Sequence, residues 1–337
     1  MSFQDYLKQI KAGQNLGRSQ ATEFLSPILD DPDLPDGSIA EALTALTKKT
    51  VTADEICGFI DAMRARMVHL PFKGQAIDTC GTGGDGHSTF NISTAAAILL
   101  AAGGVKVAKH GNRAASSQCG SADVLEALGI PVDLKPEVAA KALSEHGFVF
   151  LFAPLYHPSL KRLAIIRKQL GFPTVFNLLG PLLNPAAAKR QAIGTFSKAN
   201  AELLAEVAAQ MNYEHAIILT SDDGLDEASL SAPVTVLEVK GSSVSSQRLQ
   251  AGDYGLEAAP LSALKGGDAA TNAKLVTAVL QPVDKLSAHQ RIVVFNAGLG
   301  FYATGQADSI GQGIEQAKTA LASGAASAKL KELQAND

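Results

Sequence analysis

The spacing of apolar and polar residues changes once along this chain, near residue 75. Before that point apolar residues recur every three to four positions. Ile56, Phe59, Ile60, Met63 and Met67 fall on one helical face, opened by the capping box Thr52-Ala53-Asp54-Glu55. Earlier helices are predicted over about 3–11, 19–29 and 37–47, parted by the Gly13 to Gly17 stretch and the turn-rich run from Asp30 to Gly37. After it, short apolar runs alternate with helical segments: Gln75 to Ile77, Val105 to Ala108, Phe148 to Phe152, Gln191 to Gly194, His215 to Leu219 and Val234 to Leu237. The fold class this predicts is α/β: a small all-helical domain, then a larger α/β domain with a central, mostly parallel sheet flanked by helices. A basic helix from His157 to Leu170, followed by the apolar, turn-broken stretch Phe176 to Pro185, suggests a return to the N-terminal helices. The expected division is 1–72 helical with a returning segment at about 157–187, and 73–156 with 188–337 for the α/β domain. The Ser- and Gln-rich Gly241 to Gly252 reads as a surface excursion, and Asp308 or Ser309 as the cap of a last long helix ending near Gly324.

Composition narrows the class. A chain of 337 residues with 46% hydrophobic residues has ample material for a core, and a formal charge of −4 with only 5% aromatics lacks the basic, stacking surface of nucleic-acid binders. Neither an apolar N-terminal signal core nor a run of about 18 apolar residues occurs, so no membrane contact and a cytoplasmic location are expected. Cys57, Cys80 and Cys119 have neither zinc nor disulfide spacing and read as reduced thiols.

Candidate chemistry begins at Asp78 to Thr94, where Gly81, Gly83, Gly84 and Gly86 separate an apolar strand from an apolar helix capped by Ser93 or Thr94. Uncovered backbone N–H groups and the positive end of a helix dipole favour an anion there. The letters fit G-x-G-x-x-G, yet the second strand ends in Lys109-His110-Gly111-Asn112-Arg113, cations where a dinucleotide site needs a ribose-binding carboxylate. Asp85 inside the turn suits a bare pyrophosphate only if a metal or sugar hydroxyl intervenes, which points to a phosphorylated sugar with a divalent ion.

Three further groups belong with that turn. Asn91-Ile92-Ser93-Thr94 serves as a helix cap, a phosphate contact or a metal contact. Lys109 to Ser117 mixes a point charge, a guanidinium, an amide and hydroxyls, which suits a phosphate beside ribose hydroxyls, while Ser121 opens a helix that offers a second anion site. Ser221 to Glu227 places carboxylates at the end of a strand, where Mg²⁺ is held by one or two carboxylates plus substrate phosphates; an exposed acidic loop is the plain alternative. Arg167 shares a helix side with Leu163 and Leu170 and is a candidate partner for a substrate carboxylate.

Gly81-Thr82-Gly83-Gly84-Asp85-Gly86, Phe90 to Thr94, Lys109 to Ser117, Gly120 to Gly129, Tyr156-His157-Pro158, Phe176 to Pro185 and Asp223 to Glu227 together resemble the anthranilate phosphoribosyltransferase family of tryptophan biosynthesis, within the nucleoside phosphorylase-like phosphoribosyltransferases. The resemblance implies transfer of phosphoribosyl from phosphoribosyl pyrophosphate (PRPP) to the amine of anthranilate, with Mg²⁺ required. It also implies a hinged helical and α/β pair, usually a homodimer joined through the helical parts, and an anthranilate synthase as the partner in the pathway. Carried over, Gly81, Gly84, Asp85, Thr89, Asn91, Ile92, Ser93, Thr94, Lys109, His110, Gly111, Asn112, Arg113, Ala114, Ala115, Ser116, Ser117 and Ser121 would bind PRPP. Ser93, Asp226 and Glu227 would be metal ligands, with Lys109, Asp226 and Glu227 stabilising the transition state. Gly81, Asn112, His157 and Arg167 would hold anthranilate, with His110 and Tyr156 lining its approach. Residues 1–70 match the family only loosely, and Pro173 stands where an Arg is frequent. Two rivals remain at this level: transfer to another aromatic amine, and a nucleoside phosphorylase, whose Lys-His-Ser-Thr-Gly-Gly turn this chain lacks.

Overall fold

The structure is a computed structural model and describes residues 1–114 and 118–335. Four helices come first: α1 (Phe3–Lys11), α2 (Arg18–Asp30), α3 (Asp36–Lys49) and α4 (Ala53–Arg64). The Thr52 cap of α4 does more than start a helix. Its partner Glu55 is fully buried, accepts from the Thr52 and Leu16 N–H groups at 2.9 Å each, and pairs with Lys49 Nζ at 2.7 Å. One carboxylate thus ties together the ends of three segments.

The remainder runs β1 (Ile77–Gly81), α5 (Ile92–Ala102), β2 (Val107–Gly111), α6 (Ser121–Ala127), α7 (Pro136–His146), β3 (Phe148–Phe152), α8 (Ala153–Tyr156), α9 (Lys161–Leu170), α10 (Phe176–Leu179), β4 (Arg190–Gly194), α11 (Lys198–Gln210), β5 (Tyr213–Ser221), β6 (Val234–Gly241), β7 (Ser243–Leu249), α12 (Ala269–Val279), α13 (Ala288–Thr304), α14 (Ile310–Ala322) and α15 (Ala325–Gln334). The strands form one sheet in the order β3-β2-β1-β4-β5-β6-β7, parallel from β3 to β5 and antiparallel beyond. From β1 the chain winds outward to β2 and β3, then returns to β4 on the other side of β1. The order reverses between β1 and β4, and ligands of open α/β sheets bind in the crevice beyond such a switch point.

Three cores fix this frame. One joins α5 and α12 to α15 to one face of the sheet through residues such as Leu99, Val293, Phe295 and Ile314. A second is continuous from α1 to α4 through Leu163, Ile166, Phe176 and Leu179 to Ile193 and Ile218 on the opposite face. The third packs α7 against Ala108, Val149 and Leu151. Arg162 on α9 reaches Asp36 Oδ1 at 2.7 Å and the Leu34 carbonyl, so the basic helix lies against the N-terminal helices.

Four expectations need correction. The second strand lies two residues later than predicted, at Val107–Gly111, so Lys109 and His110 are strand residues, not loop residues. The cap of α5 is Asn91, not Ser93 or Thr94, because the acidic loop occupies the first-turn donor: Ser93 N–H gives its hydrogen bond to Glu227 Oε1 at 3.0 Å. Gly241 to Gly252 lies at the surface as expected but is largely an edge strand, β7, paired with β6 and exposed from Ser243 to Arg248. Ser309 caps α14, which ends at Ala322, and a further helix, α15, follows Gly324. Among the described residues no helix is long and apolar enough to cross a membrane.

Candidate active site

The glycine turn leaves β1 with Gly83, Gly84 and Gly86 at φ of 70°, 84° and 74°, a region closed to most side chains. All three are exposed, and they leave the loop's backbone uncovered. Gly81 is glycine for another reason: a Cβ there would lie 2.7 Å from Asp226 Cγ. Gly194 at the end of β4 faces the same loop, and its Cβ would meet the Asp226 carbonyl carbon at 2.5 Å and the carbonyl oxygen closer still. The acidic loop after β5 therefore lies directly across the switch point, in contact with both strands that border it.

That loop is held from several sides. Asp226 Oδ2 accepts from Gly83 N–H at 2.6 Å and Glu227 Oε1 from Ser93 N–H. Ser221 Oγ donates to the Glu227 carbonyl at 2.7 Å, and Asn296 on α13 brackets Ala228, accepting from its N–H at 2.8 Å and donating to its carbonyl at 3.1 Å. His87 from the glycine turn contacts the Asp223 carbonyl through Nε2 at 3.0 Å. Burial, then the neighbouring carboxylates, push both Asp226 and Glu227 well above the usual carboxylate range. Asp85 Oδ2 and Thr82 Oγ1 are buried without a partner. Two desolvated carboxylates beside an anion-accepting turn call for a cation between them and any phosphate. Two carboxylates beside the Ser93 hydroxyl are an all-oxygen donor set, which fits a hard ion that arrives with phosphate oxygens.

Opposite stands the end of β2. Lys109 is buried, with Nζ donating to the Thr79 carbonyl at 2.6 Å and to Ser93 Oγ at 3.4 Å. Its charge sits beside the acidic pair and lowers the Glu227 carboxyl against the effect of burial. His110 and His157 are buried with ring centroids 5.2 Å apart. Burial lowers His110 to a pKa of about 3 and His157 to about 4, with His157 also acting against the charge on His110. Both rings are neutral at pH 7. Their Nε2 atoms and the Tyr156 hydroxyl are buried without partners.

The remaining candidates divide. Arg167 is half-buried, 5.6 Å from the Phe176 ring centroid, and donates to Asn177 Oδ1 at 3.1 Å, leaving other guanidinium donors for a carboxylate. Asn112 is exposed at the mouth, its Oδ1 accepting from Arg113 N–H at 2.8 Å. Asn91 is engaged internally, donating to the Cys119 carbonyl at 3.2 Å and accepting from Asn272 at 2.8 Å, so its side chain braces the loop after β2. Arg113 is drawn outward to Glu126 by two 2.6 Å contacts and stacks over Phe152. Ser121 Oγ donates to the Asn112 carbonyl at 3.3 Å, and Asp123 caps Gly120 and Ala114, so α6 supports the loop. Thr89 forms a bridge with Lys265 next to the turn; Ile92 and Thr94 are buried in the first turn of α5, and Gly111 and Ala114 are backbone elements of the β2 end. Ala115, Ser116 and Ser117 lie outside the described residues. Sequence reasoning missed Asp78, Asn184, Gly194, Asn296 and His87. Of these, Asp78 and His87 inside the glycine segment and Asn184 inside the Phe176 to Pro185 stretch carried a positional signal.

Comparison with known proteins gives a consistent result. Residues 73–327 match the glycosyl transferase family a/b domain, and residues 4–67 match that family's helical bundle domain. An anthranilate phosphoribosyltransferase of Geobacillus sp. (strain WCH70) is 46% identical over 319 residues, covering 95% of this chain and 94% of the relative. The crystal structure of anthranilate phosphoribosyltransferase from Thermus thermophilus superposes with a TM-score of 0.91 at 38% identity, over 98% of both chains. That of Saccharomyces cerevisiae, in complex with PRPP and Mg, does so with a TM-score of 0.90 at 27% identity, over 98% of this chain and 96% of the yeast one.

Proposed function

The chain belongs to the anthranilate phosphoribosyltransferase family, and from that premise we infer that it transfers the phosphoribosyl group of PRPP to the amine of anthranilate, releasing pyrophosphate, as a step of tryptophan biosynthesis. The observation that carries this reading is the apposition, across the β1/β4 switch point, of an exposed glycine turn, a buried Asp226–Glu227 pair and the buried Lys109.

The glycine turn and the first turn of α5 take the pyrophosphate end of the donor. Asp226, Glu227 and Ser93 Oγ would hold Mg²⁺, which when bound supplies a Lewis acid for the leaving oxygens. As the bond to the anomeric carbon breaks, negative charge grows on pyrophosphate, and the charge of Lys109 with the free N–H groups of the glycine turn would stabilise it. Positive charge grows on the ribose ring beside the Asp226–Glu227 carboxylates. Arg167 and Asn112 orient the acceptor carboxylate and amine, with the neutral His110 and His157 rings as its bed. An aromatic amine is uncharged at pH 7, so the acceptor needs placement more than deprotonation, and no side-chain base is assigned. The proposal includes the helical domain as 1–72 with the segment 157–187, supported by the core the two share, and a cytoplasmic homodimer joined through that domain, supported by family membership.

The test is a fluorescence assay with purified protein, Mg²⁺, PRPP and anthranilate. Loss of anthranilate emission that depends on all three components is expected. If emission persists while calorimetry still shows Mg²⁺-dependent PRPP binding, the acceptor is wrong; if PRPP does not bind, the transferase reading falls.

A further inference from the structure

The sheet that carries the site has an unusual joint at its centre. Strands β1 and β4 pair along five positions from Ile77 to Gly81, and β2 and β3 pair along five from Val107 to Gly111. Between β1 and β2, however, a single register position is made, Ile77 opposite Val107, at the end remote from the site. Toward the site, the main-chain groups that a parallel ladder would join are met by side chains. The His110 N–H donates to Asp78 Oδ1 at 3.2 Å. The Ala108 carbonyl accepts from Asn184 Nδ2 at 2.7 Å, and the same nitrogen donates to Asp78 Oδ2 at 2.8 Å. The Thr79 carbonyl accepts from Lys109 Nζ at 2.6 Å. Asp78, Lys109 and Asn184 are each no more than 2% exposed, and Asn184 Oδ1 is anchored by the Ala186 N–H at 2.8 Å.

The site spans this seam. On the β1 side lie the glycine turn, Ser93 and the acidic pair, all referred to the β1–β4 ladder; on the β2 side lie Lys109, His110 and Asn112, referred to β2–β3. Their relative placement is set by Asp78 and Asn184, with Lys109 reaching back across the seam to the Thr79 carbonyl. Resting on the phosphoribosyl-transfer reading, we propose that Asp78 and Asn184 are positioning residues of the reaction, fixing the gap between the β1 half of the site and the β2 half, which brings Lys109 to the leaving group and His110 and Asn112 to the acceptor. Neither lines the ligand space; each acts through a backbone group of β2. A misplacement of about 1 Å caused by a residue away from the chemistry costs about 100-fold in rate.

The experiment uses full-length Asn184→Ser, Asp78→Ala and Asp78→Asn. Asp78→Asn keeps an oxygen for the His110 N–H and serves as the conservative rescue; Asn184→Ser remains informative where Asp78→Ala fails to fold. For the folded fraction, kcat, KM for PRPP, KM for anthranilate and hydrogen exchange of the His110 amide are measured. Asn184→Ser is expected to lower kcat/KM about 10-fold or more and to speed exchange at His110, with Asp78→Asn recovering part of the loss seen in Asp78→Ala. Variants that lose thermal stability while kcat and both KM values of the folded protein stay within twofold of wild type would overturn the proposal. If wild type proves inactive on anthranilate, Mg²⁺-pyrophosphate calorimetry separates the two claims. Weaker pyrophosphate binding in Asn184→Ser upholds the seam's role without the acceptor, and unchanged binding refutes it.

Discussion

Gly194→Ala is the sharpest test of how the acidic pair is held. Gly194 ends β4, touches no proposed ligand and belongs to none of the motifs that drew attention in the sequence. A Cβ there would stand 2.5 Å from the Asp226 carbonyl carbon and closer still to its oxygen, whereas an ordinary contact is at least 3.4 Å, so the acidic loop must retreat by at least about 1 Å. Asp226 and Glu227 are rigidly connected to that carbonyl, and their partners Gly83 N–H and Ser93 N–H stand on the other side, at 2.6 and 3.0 Å. Displacement of 1 Å breaks the first of these and misplaces the metal ligands. A misplacement of that size costs about 100-fold in rate, which is roughly 2.7 kcal/mol of transition-state stabilisation. Overpacking adds a separate stability loss of about 1–3 kcal/mol, so turnover is normalised to the folded fraction from a denaturant titration. The assay is the initial rate of anthranilate consumption as Mg²⁺ is varied at saturating PRPP. The expected result is a turnover about 100-fold lower with a raised Mg²⁺ requirement. Gly37→Ala, where a Cβ meets nothing within 4 Å, is the neutral control. Turnover of Gly194→Ala within threefold of wild type, with an unchanged Mg²⁺ curve, would refute the reasoning.

Asp226→Asn with Glu227→Gln should reduce turnover by at least about 100-fold and abolish Mn²⁺ binding measured by electron paramagnetic resonance; activity that survives the pair at saturating Mg²⁺ contradicts their assignment. Arg167→Lys replaces a planar fork with a point charge and should raise the KM for anthranilate about 10-fold while leaving that for PRPP unchanged, and equal effects on both would move Arg167 away from the acceptor. His157, at about 4, is depressed from an ordinary 6.5, so the unfolded chain binds its proton first and stability falls as pH drops below about 6.5. At pH 5 the loss is about 2 kcal/mol from this residue. Subtracting the urea-unfolding profile of His157→Phe isolates that slope from the opposite one of Asp78, whose carboxyl is raised by burial to about 6; a flat difference curve contradicts the buried-neutral assignment. Glu55→Ala leaves Lys49 with only Asn15 Oδ1 at 2.8 Å as its side-chain partner and strands two N–H groups, and should cost about 3 kcal/mol in chemical denaturation, with Glu55→Gln costing less; loss below about 1 kcal/mol would contradict the bridging role of this carboxylate.

What the sequence disclosed was what periodicity and turn chemistry encode. The α/β alternation, the capping box at Thr52 and the glycine turn were legible because each is a local pattern. The start of β2 was misplaced because Val105 and Lys106 carry the same apolar and polar alternation as the residues that pair; only the neighbouring strand decides which positions join the ladder. The cap of α5 went to Asn91 because Glu227, more than 130 positions away, occupies the Ser93 N–H. Gly194 and Asn296 were invisible for the same reason. Each is an ordinary residue in its own segment, and its task exists only where β4 or α13 meets the loop after β5.

The joint between β1 and β2 bears on how such a site changes over generations. Strands joined by a full ladder stand roughly 4.8 Å apart whatever their side chains, so their spacing is beyond the reach of point substitution. Where Asp78 and Asn184 bridge the strands, spacing is a matter of side-chain length and polarity, and single codon changes can alter it. The scaffold thereby holds an adjustable element at its centre, through which a lineage can refit the separation of donor and acceptor while the surrounding cores stay as they are.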